Sequence, residues 1–217
     1  MYRILLIGDS ITGGFPNSVA GYAPEVRELL AGTAQVDTLP ENGGDSRNLL
    51  AHLSGWLGDA QYDVIHFNCG LHDIKRPHSG AGIQVPIHEY EANLHSLVDR
   101  LQARAAKLVW GRTTPVVDGQ PAASKDFDRY NVDIDAYNRV AGRVMAARGV
   151  TVDDLHAAVC AAGLAACLTG DGVHLTVEGN HVLARQAAAL LRTKALASSR
   201  RAIGHESLTI DKRGLPS

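Results

Sequence analysis

The sequence predicts an α/β fold in which helices cover a central, mostly parallel sheet of about five strands. Short apolar runs of the kind that a buried parallel strand needs recur along the chain. Longer segments with apolar residues at helical spacing separate them. Strands that alternate with helices imply right-handed crossovers, which place helices on both faces of a parallel sheet.

The predicted strands are five short segments, of which the second and fifth are the weaker candidates. In chain order they are Ile4–Ile7, Gln35–Leu39, Val64–Phe67, Leu108–Trp110 and Val150–Val152. Apolar stripes predict helices around Tyr90–Leu101, Tyr137–Val144 and Val182–Leu191. Pro24 and Ser46 are typical of helix starts.

One domain accounts for most of the chain, because 217 residues can bury a sizeable core and no linker or internal repeat interrupts the pattern. We assign residues 1–197 to this domain. From Ser198 the periodicity is lost and basic residues mix with Gly and Pro, so residues 198–217 are predicted to be a C-terminal tail or packing arm.

Composition and charge exclude several classes of protein. Apolar residues make up 45% and charged residues 20%, as in ordinary globular proteins, and the net charge is −2. No basic field therefore points to nucleic acid or to an acidic membrane as a partner. The three cysteines lack the spacing of a zinc site or a disulfide framework. The N-terminal apolar run, Ile4–Ile7, is too short for a signal peptide or a membrane span, so a cytoplasmic protein is expected.

In such a sheet a ligand binds at the carboxyl ends of the strands, and the segment Gly8-Asp9-Ser10-Ile11-Thr12 directly follows the first strand. A serine on this strand-to-helix turn can be a nucleophile whose own N–H faces an oxyanion. It can equally be a helix cap.

Two further patterns carry candidate chemistry. Asp171-Gly172-Val173-His174 precedes the final amphipathic segment, where a histidine could deprotonate the serine and the aspartate could orient the ring. Asn42–Asp45 and Cys69–Asp73 follow the second and third strands and suit donors to an oxyanion. Each pattern taken alone is also compatible with ordinary turn and loop chemistry.

Together these segments resemble the blocks of the GDSL-type, or SGNH, serine hydrolase family, over residues 1 to about 195. The resemblance implies a flavodoxin-like three-layer sandwich. It also implies that Ser10 is the nucleophile, Asp171 the acid and His174 the base, and that Gly44 donates to the oxyanion. Thr113-Thr114-Pro115 resembles the threonine-proline loop of that family.

The third block departs from the family pattern, since Gly70-Leu71-His72-Asp73 has a histidine where Asn is usual. A neutral imidazole can donate one N–H in place of the amide. We therefore expect an oxyanion hole of Ser10, Gly44 and His72, with a purely structural His72 as the alternative.

The function that follows from the resemblance is hydrolysis of carboxylic esters through an acyl-enzyme, without a cofactor or metal. The polar loop Lys75–His88 favours a short acyl group, such as acetyl, on a carbohydrate or other small molecule. A lipase or thioesterase remains an alternative. So do a non-catalytic binding module and a metal-dependent phosphodiesterase, whose ligands would be Asp9, His72, Asp73, Asp171 and His174.

Two groups of polar residues receive a structural interpretation. His66 lies inside a strand-like run and is interpreted as a histidine of the core. The acidic cluster Asp126, Asp128, Asp133 and Asp135 has no EF-hand pattern and is interpreted as a solvated loop and helix start.

Overall fold

A computed structural model describes residues 1–13, 21–119 and 125–206, with side chains through residue 195. Its main sheet has five strands, and each predicted strand segment overlaps one of them, although Leu39 and Val150 lie just outside. They are β1 Tyr2–Ile7, β2 Ala34–Thr38, β3 Tyr62–Phe67, β5 Ala105–Gly111 and β7 Thr151–Asp153. A separate antiparallel pair consists of β4 Arg76–Pro77 and β6 Phe127–Asp128.

All neighbours in the main sheet are parallel, in the order β2-β1-β3-β5-β7. Counted along the sheet strands alone, this is the flavodoxin-like order 2-1-3-4-5. Ile4 of β1 pairs with Val36 of β2 on one side and with Val64 of β3 on the other. The strand order reverses between β1 and β3, so the carboxyl ends of these two strands border the crevice where ligands bind in such sheets.

Helices pack in two groups, as expected for crossovers on both faces of the sheet. One group comprises α3, α4 and α5, and the other contains α2, α6, α7 and α8. Their bounds are α1 Ser10–Gly13, α2 Ala23–Leu29, α3 Ser46–Leu57, α4 Ile87–Gln102, α5 Asn131–Ala147, α6 Leu155–Ala162, α7 Leu164–Cys167 and α8 Val177–Glu206. The predicted helical stripes lie on α4, α5 and α8, and Ser46 begins α3.

The core lies between the sheet and these helices. Ile4–Ile7 and Val64–Phe67 are fully buried, because the central strands of a parallel sheet are covered on both faces. His66 is within this core, as predicted, and its Nε2 lies 3.1 Å from Oδ2 of Asp153. Its other ring nitrogen, Nδ1, has no hydrogen-bond partner in the described part of the chain.

The small β4–β6 sheet joins the loop after β3 to the segment before α5. Arg76 reaches across it and donates from Nε and Nη2 to the two carboxylate oxygens of Asp133, each at 2.7 Å. Interpretation of the acidic cluster as solvated is therefore wrong for Asp133, which is 8% exposed. A bidentate arginine compensates the burial of this carboxylate.

The C-terminal part of the described chain is the long helix α8, which continues through residue 198 to Glu206. The rest of the predicted tail, residues 207–217, lies outside the described residues. Within the described residues, no helix combines the length and apolar character that crossing a membrane requires.

Candidate active site

Ser10 lies at the carboxyl end of β1, as the first residue of the short helix α1. Asp9 fixes this turn, because its Oδ1 accepts from the N–H of Ile11 at 2.9 Å and its carbonyl accepts from Thr12 and Gly13. The N–H of a first helical residue has no acceptor one turn back. The turn thus presents a partly exposed hydroxyl and a backbone donor at the same residue.

A closed loop between α7 and α8 carries Asp171 and His174. Leu168 and Leu175 form an antiparallel bridge at its base, and the N–H of Thr169 donates to the carbonyl of His174 at 2.8 Å. The carbonyl of Gly172 accepts from Val117 at 2.8 Å, which ties the loop to the segment after β5. These bonds hold the imidazole at a fixed position beside β1.

Ser10, His174 and Asp171 form one chain of hydrogen bonds. Nε2 of His174 lies 2.9 Å from Oγ of Ser10, and its Nδ1 lies 2.5 Å from Oδ2 of Asp171. The other oxygen, Oδ1 of Asp171, accepts from the N–H groups of Val173 and His174. This is the arrangement in which a carboxylate orients a histidine toward a serine hydroxyl.

Asp171 is held in its ionised form. Partial burial raises the pKa of its carboxyl, but hydrogen bonds from the His174 ring, from two backbone N–H groups and from Thr169 outweigh burial and leave the pKa well below its usual range. Lys125 adds an ion pair, with Nζ 3.3 Å from Oδ2 of Asp171. Nothing in the sequence distinguishes Lys125 from other lysines in polar loops, and only the structure connects it to Asp171.

Gly44 lies on the loop before α3, at φ +64°, which is a conformation that favours glycine. The neighbouring N–H of Gly43 donates to the carbonyl of Gly8 at 3.0 Å, so the loop is fastened to the serine turn. The N–H of Gly44 itself donates to Oδ1 of Asn42 at 2.9 Å. To hold an oxyanion it must exchange this acceptor for the substrate oxygen.

His72 lies on the loop after β3, with Nε2 3.8 Å from Oδ2 of Asp9. Burial is the main cause that lowers the pKa of His72 to about 4, and Lys75 and Arg129 also lower it, while Asp9 opposes them. At neutral pH the ring is therefore uncharged and carries one N–H. This is the protonation state that the predicted donor role requires.

Asp73 connects the two loops that carry the predicted donors. Its Oδ1 and Oδ2 accept from the N–H of Ser46, at 3.0 and 3.2 Å, at the start of α3. The side chain is fully buried, and burial raises its pKa to about 7. The Gly44 loop and the His72 loop are thereby held in a fixed relation to each other.

The segment after β5 packs against the His72 loop and hydrogen-bonds to it. Oγ1 of Thr113 donates to the carbonyl of Cys69 at 3.2 Å. A Cβ on Gly70 would lie 2.3 Å from that same Oγ1, and the backbone there has φ +152°. Only glycine therefore fits where the two segments cross.

The five predicted site residues lie on four loops or turns that hydrogen bonds connect. Ser10, Asp171 and His174 bond directly, whereas Gly44 and His72 lie on the two adjoining loops. No group of three or more His, Cys, Asp or Glu residues within 1–13, 21–119 and 125–206 is arranged to hold a metal ion.

Comparison with known proteins gives a match to one family model. Residues 6–182 match the model of the GDSL-like lipase/acylhydrolase family, which is most of the chain. No curated protein matches in sequence.

Solved structures with the same fold include three esterases or hydrolases. A lipase/acylhydrolase from Enterococcus faecalis superposes with a TM-score of 0.71 at 20% identity, covering 89% of this chain and 97% of that one. LAE5, an α/β hydrolase enzyme from the metagenome of Lake Arreo, Spain, gives 0.68 at 19% identity, with coverages of 90% and 96%. Axe2, an acetylxylan esterase from Geobacillus stearothermophilus, gives 0.65 at 24% identity, with coverages of 88% and 93%.

Proposed function

The chain belongs to the GDSL-like lipase/acylhydrolase family, and on this premise we propose that it cleaves short-chain acyl esters through an acyl-enzyme on Ser10. The observation that carries this proposal is the hydrogen-bonded chain from Ser10 through His174 to Asp171, with contacts of 2.9 and 2.5 Å. A serine hydroxyl becomes a useful nucleophile when a histidine so oriented takes its proton.

In the first half-reaction, Oγ of Ser10 attacks the ester carbonyl carbon while Nε2 of His174 takes the hydroxyl proton. A bond forms between Oγ and the carbon, and the carbonyl oxygen becomes an oxyanion. When this intermediate collapses, the bond to the alcohol oxygen breaks and His174 gives its proton to the leaving alcohol. Asp171 stays ionised throughout and stabilises the imidazolium.

In the second half-reaction a water molecule replaces the alcohol. His174 takes a proton from the water, whose oxygen attacks the acyl carbon. The bond to Oγ then breaks, His174 returns the proton to Ser10, and the carboxylic acid leaves. No further reactant is needed to balance either half.

The oxyanion is held by the N–H groups of Ser10 and Gly44 and by the ring of His72. In favour of this set, Ser10 begins a helix, Gly44 lies on a loop bonded to Gly8, and the lowered pKa of His72 keeps its ring a neutral donor. Once the N–H of Gly44 has exchanged Oδ1 of Asn42 for the substrate oxygen, these donors act from positions that the loops already fix.

The substrate we propose is an acetyl or similarly short acyl ester of a carbohydrate or other small molecule. Two observations support it. The loop after β4 exposes small residues over Ser79–Gly82 rather than an apolar lid, and a protein with the same fold is an acetylxylan esterase. Neither observation identifies the alcohol part of the ester, which the assays below determine.

A chain-length series tests the proposal. We expect kcat/KM for para-nitrophenyl acetate to exceed that for the butyrate, octanoate and palmitate esters. A second assay then measures the release of acetate from acetylated oligosaccharides. Ser10→Ala, matched with Ser96→Ala on the exposed face of α4, assigns the activity to this site. If kcat/KM were highest for the octanoate or a longer ester, the protein would be a lipase and the short-chain proposal would be wrong.

A further inference from the structure

Two cationic side chains, Lys75 and Arg129, pack on the ring of Phe127 beside the His72 loop. Nζ of Lys75 lies 4.7 Å from the ring centroid, and Cζ of Arg129 lies 4.8 Å from it. The face of an aromatic ring attracts a cation, but it does not neutralise it. The β4–β6 pairing holds this arrangement in place, since Phe127 is a strand residue of β6.

Arg129 is almost wholly buried, with 4% of its surface exposed. Its Nε donates to the carbonyl of Leu71, the residue before His72. Its Nη1 is buried and has no hydrogen-bond partner in the described part of the chain. Burial of an arginine donor without an acceptor is unfavourable, so the arrangement calls for a functional explanation.

Neither cation has a carboxylate partner at ion-pair distance among the described residues. Asp9 and Asp171 are the carboxylates that act on Arg129 through space. Asp9 accepts from Ile11, and Asp171 is occupied by His174 and Lys125. Asp9 and Asp171 therefore act on Arg129 from a distance, while their own hydrogen bonds fix the serine turn and the His174 ring.

Lys75, the more exposed of the two cations, likewise has no carboxylate in contact with it among the described residues. Asp9, Asp45 and Asp126 act on it only through space, and Asp45 is engaged in capping α3 and in accepting from Gln84. Burial and the charge of Arg129 lower the pKa of Lys75, and burial lowers that of Arg129 to about 10. Both side chains remain cationic at neutral pH.

Both cations are attached to the loop on which an ester would bind. Lys75 follows His72 by three residues, and Arg129 bonds the carbonyl of Leu71 directly before it. Lys75 is the more exposed of the two side chains, so it is the one that can contact a ligand. Arg129 is buried and contributes positive charge without contacting the ligand. Two cations that no described carboxylate contacts leave donors at the edge of the active site for an anionic group on the substrate.

We propose that Lys75 and Arg129 form a subsite for a carboxylate carried by the ester substrate, so that the enzyme prefers acidic esters to neutral ones. This inference rests on the proposed function and narrows its substrate class. In terms of compounds, it favours acyl esters of acidic sugars or other hydroxy acids over esters of neutral alcohols. A carboxylate there would accept a charge-assisted hydrogen bond from the ammonium group of Lys75.

Matched substrates test the proposal. The anion para-acetoxybenzoate and its neutral methyl ester differ by one charge and one methyl group, and para-nitrophenyl hemisuccinate with its methyl ester places the charge on the acyl side instead. The intrinsic reactivities of the two members of a pair differ as well, and this difference cancels when their ratio is compared between variants. We expect the wild type to favour the anion of at least one pair, and Lys75→Met to lower the anion-to-neutral ratio of kcat/KM about tenfold, or 1.4 kcal/mol. Lys75→Glu should lower it further. Arg143→Met, which removes an exposed charge from α5, should leave the ratio unchanged.

Two results would overturn the subsite. One is an anion-to-neutral ratio that is the same in wild type, Lys75→Met and Lys75→Glu. The other is an equal loss on both members of each pair, which would mean that the cations stabilise the oxyanion of every ester. Arg129→Lys, checked by thermal unfolding, keeps the buried charge and should retain more of the preference than Arg129→Met.

Calorimetry separates failure of the subsite from failure of the proposed function. Ser10→Ala cannot turn over the ester, so binding of para-acetoxybenzoate and of its methyl ester can be measured directly. Tighter binding of the anion, abolished by adding Lys75→Met, supports the subsite whether or not the wild type is an esterase. Equal binding of the two compounds refutes it, whereas absence of wild-type turnover on every nitrophenyl ester would refute only the proposed function.

Discussion

Nδ1 of His174 lies 2.5 Å from Oδ2 of Asp171, and the opposite ring nitrogen lies 2.9 Å from Oγ of Ser10. Because Asp171 is ionised, it can only accept, and this requires the proton of a neutral ring to be on Nδ1. Nε2 is then left as the acceptor for the serine proton. The carboxylate therefore determines which ring nitrogen of His174 is free to accept a proton.

Asp171→Asn should lower kcat by roughly 10⁴-fold, by analogy with serine proteases, since an amide can impose the wrong tautomer on His174. The measurement is turnover of para-nitrophenyl acetate, with folding checked by thermal unfolding. Asp59→Asn, at a fully exposed position, is the matched control and should be fully active. A loss smaller than about tenfold would mean that a backbone carbonyl or water orients the ring.

Ser10 should be labelled covalently by a fluorophosphonate, because Nε2 of His174 is positioned to take its proton. Peptide mapping by mass spectrometry locates the label. Ser10→Ala and His174→Ala should each remove nearly all activity, and the double variant should lose little more, since the two act as a unit. Label on another residue of an active preparation would contradict the nucleophile assignment.

His72→Ala should lower kcat by about 10²–10³-fold with little change in KM, as for loss of other oxyanion donors. His72→Asn restores an amide donor and should retain much more activity. Exposed His52→Ala is the control. If His72 were a base, both variants would be equally inactive. If its role were structural, both would lose melting temperature before specific activity.

The lowered pKa of His72 also predicts how stability depends on pH. An unfolded chain takes up a proton on this residue below about pH 6.5, whereas the folded chain does so only near its pKa of about 4. Protonation thus favours unfolding as pH falls from about 6.5 to 4. Chemical denaturation of wild type and His72→Asn at pH 7 and pH 4.5 measures this effect. The variant should gain stability relative to wild type at the lower pH, and a pH-independent difference would contradict the expectation.

Gly70→Ala should destabilise the protein by about 1–3 kcal/mol, the usual range for overpacking, because its Cβ would overlap Oγ1 of Thr113. Gly55→Ala is the control. It lies inside α3 with open space around its Cβ position, so it should stabilise by roughly 0.4–1 kcal/mol. Denaturant titration of both variants measures the two effects. If Gly70→Ala were as stable as the wild type, the two segments would not cross tightly at this position.

The parts of this molecule that the sequence predicts well are those with a local signal. The strand Ile4–Ile7 is apolar throughout because it is buried on both faces, and Asp171 and His174 are close because three residues separate them in a tight loop. The position of Ser10 on a turn after the first strand follows from the apolar run directly before it. In each case the residues that interact, or the environment that selects them, follow from a short stretch of chain.

Residues that depend on distant partners were missed. The sequence predicts a solvated Asp133 because nothing near this residue indicates its partner Arg76, 57 residues earlier. Arg129 and Lys75 acquire their roles only where β4 and β6 pair and bring both to Phe127. The only sequence hint is a basic residue between two aromatic ones, at Phe127–Tyr130, just ahead of a helix.

Ser10 and His174, the proposed nucleophile and base, are 164 positions apart. A ribosome that adds roughly 5–20 residues per second needs about 8–33 seconds to pass from one to the other. Through that interval the nascent chain carries its serine with no group to activate it, so it cannot attack esters while the sheet is still incomplete. On the proposed mechanism, hydrolytic activity therefore begins only once the loop before α8 has closed onto β1, and the onset of ester cleavage in a translation reaction would time that event.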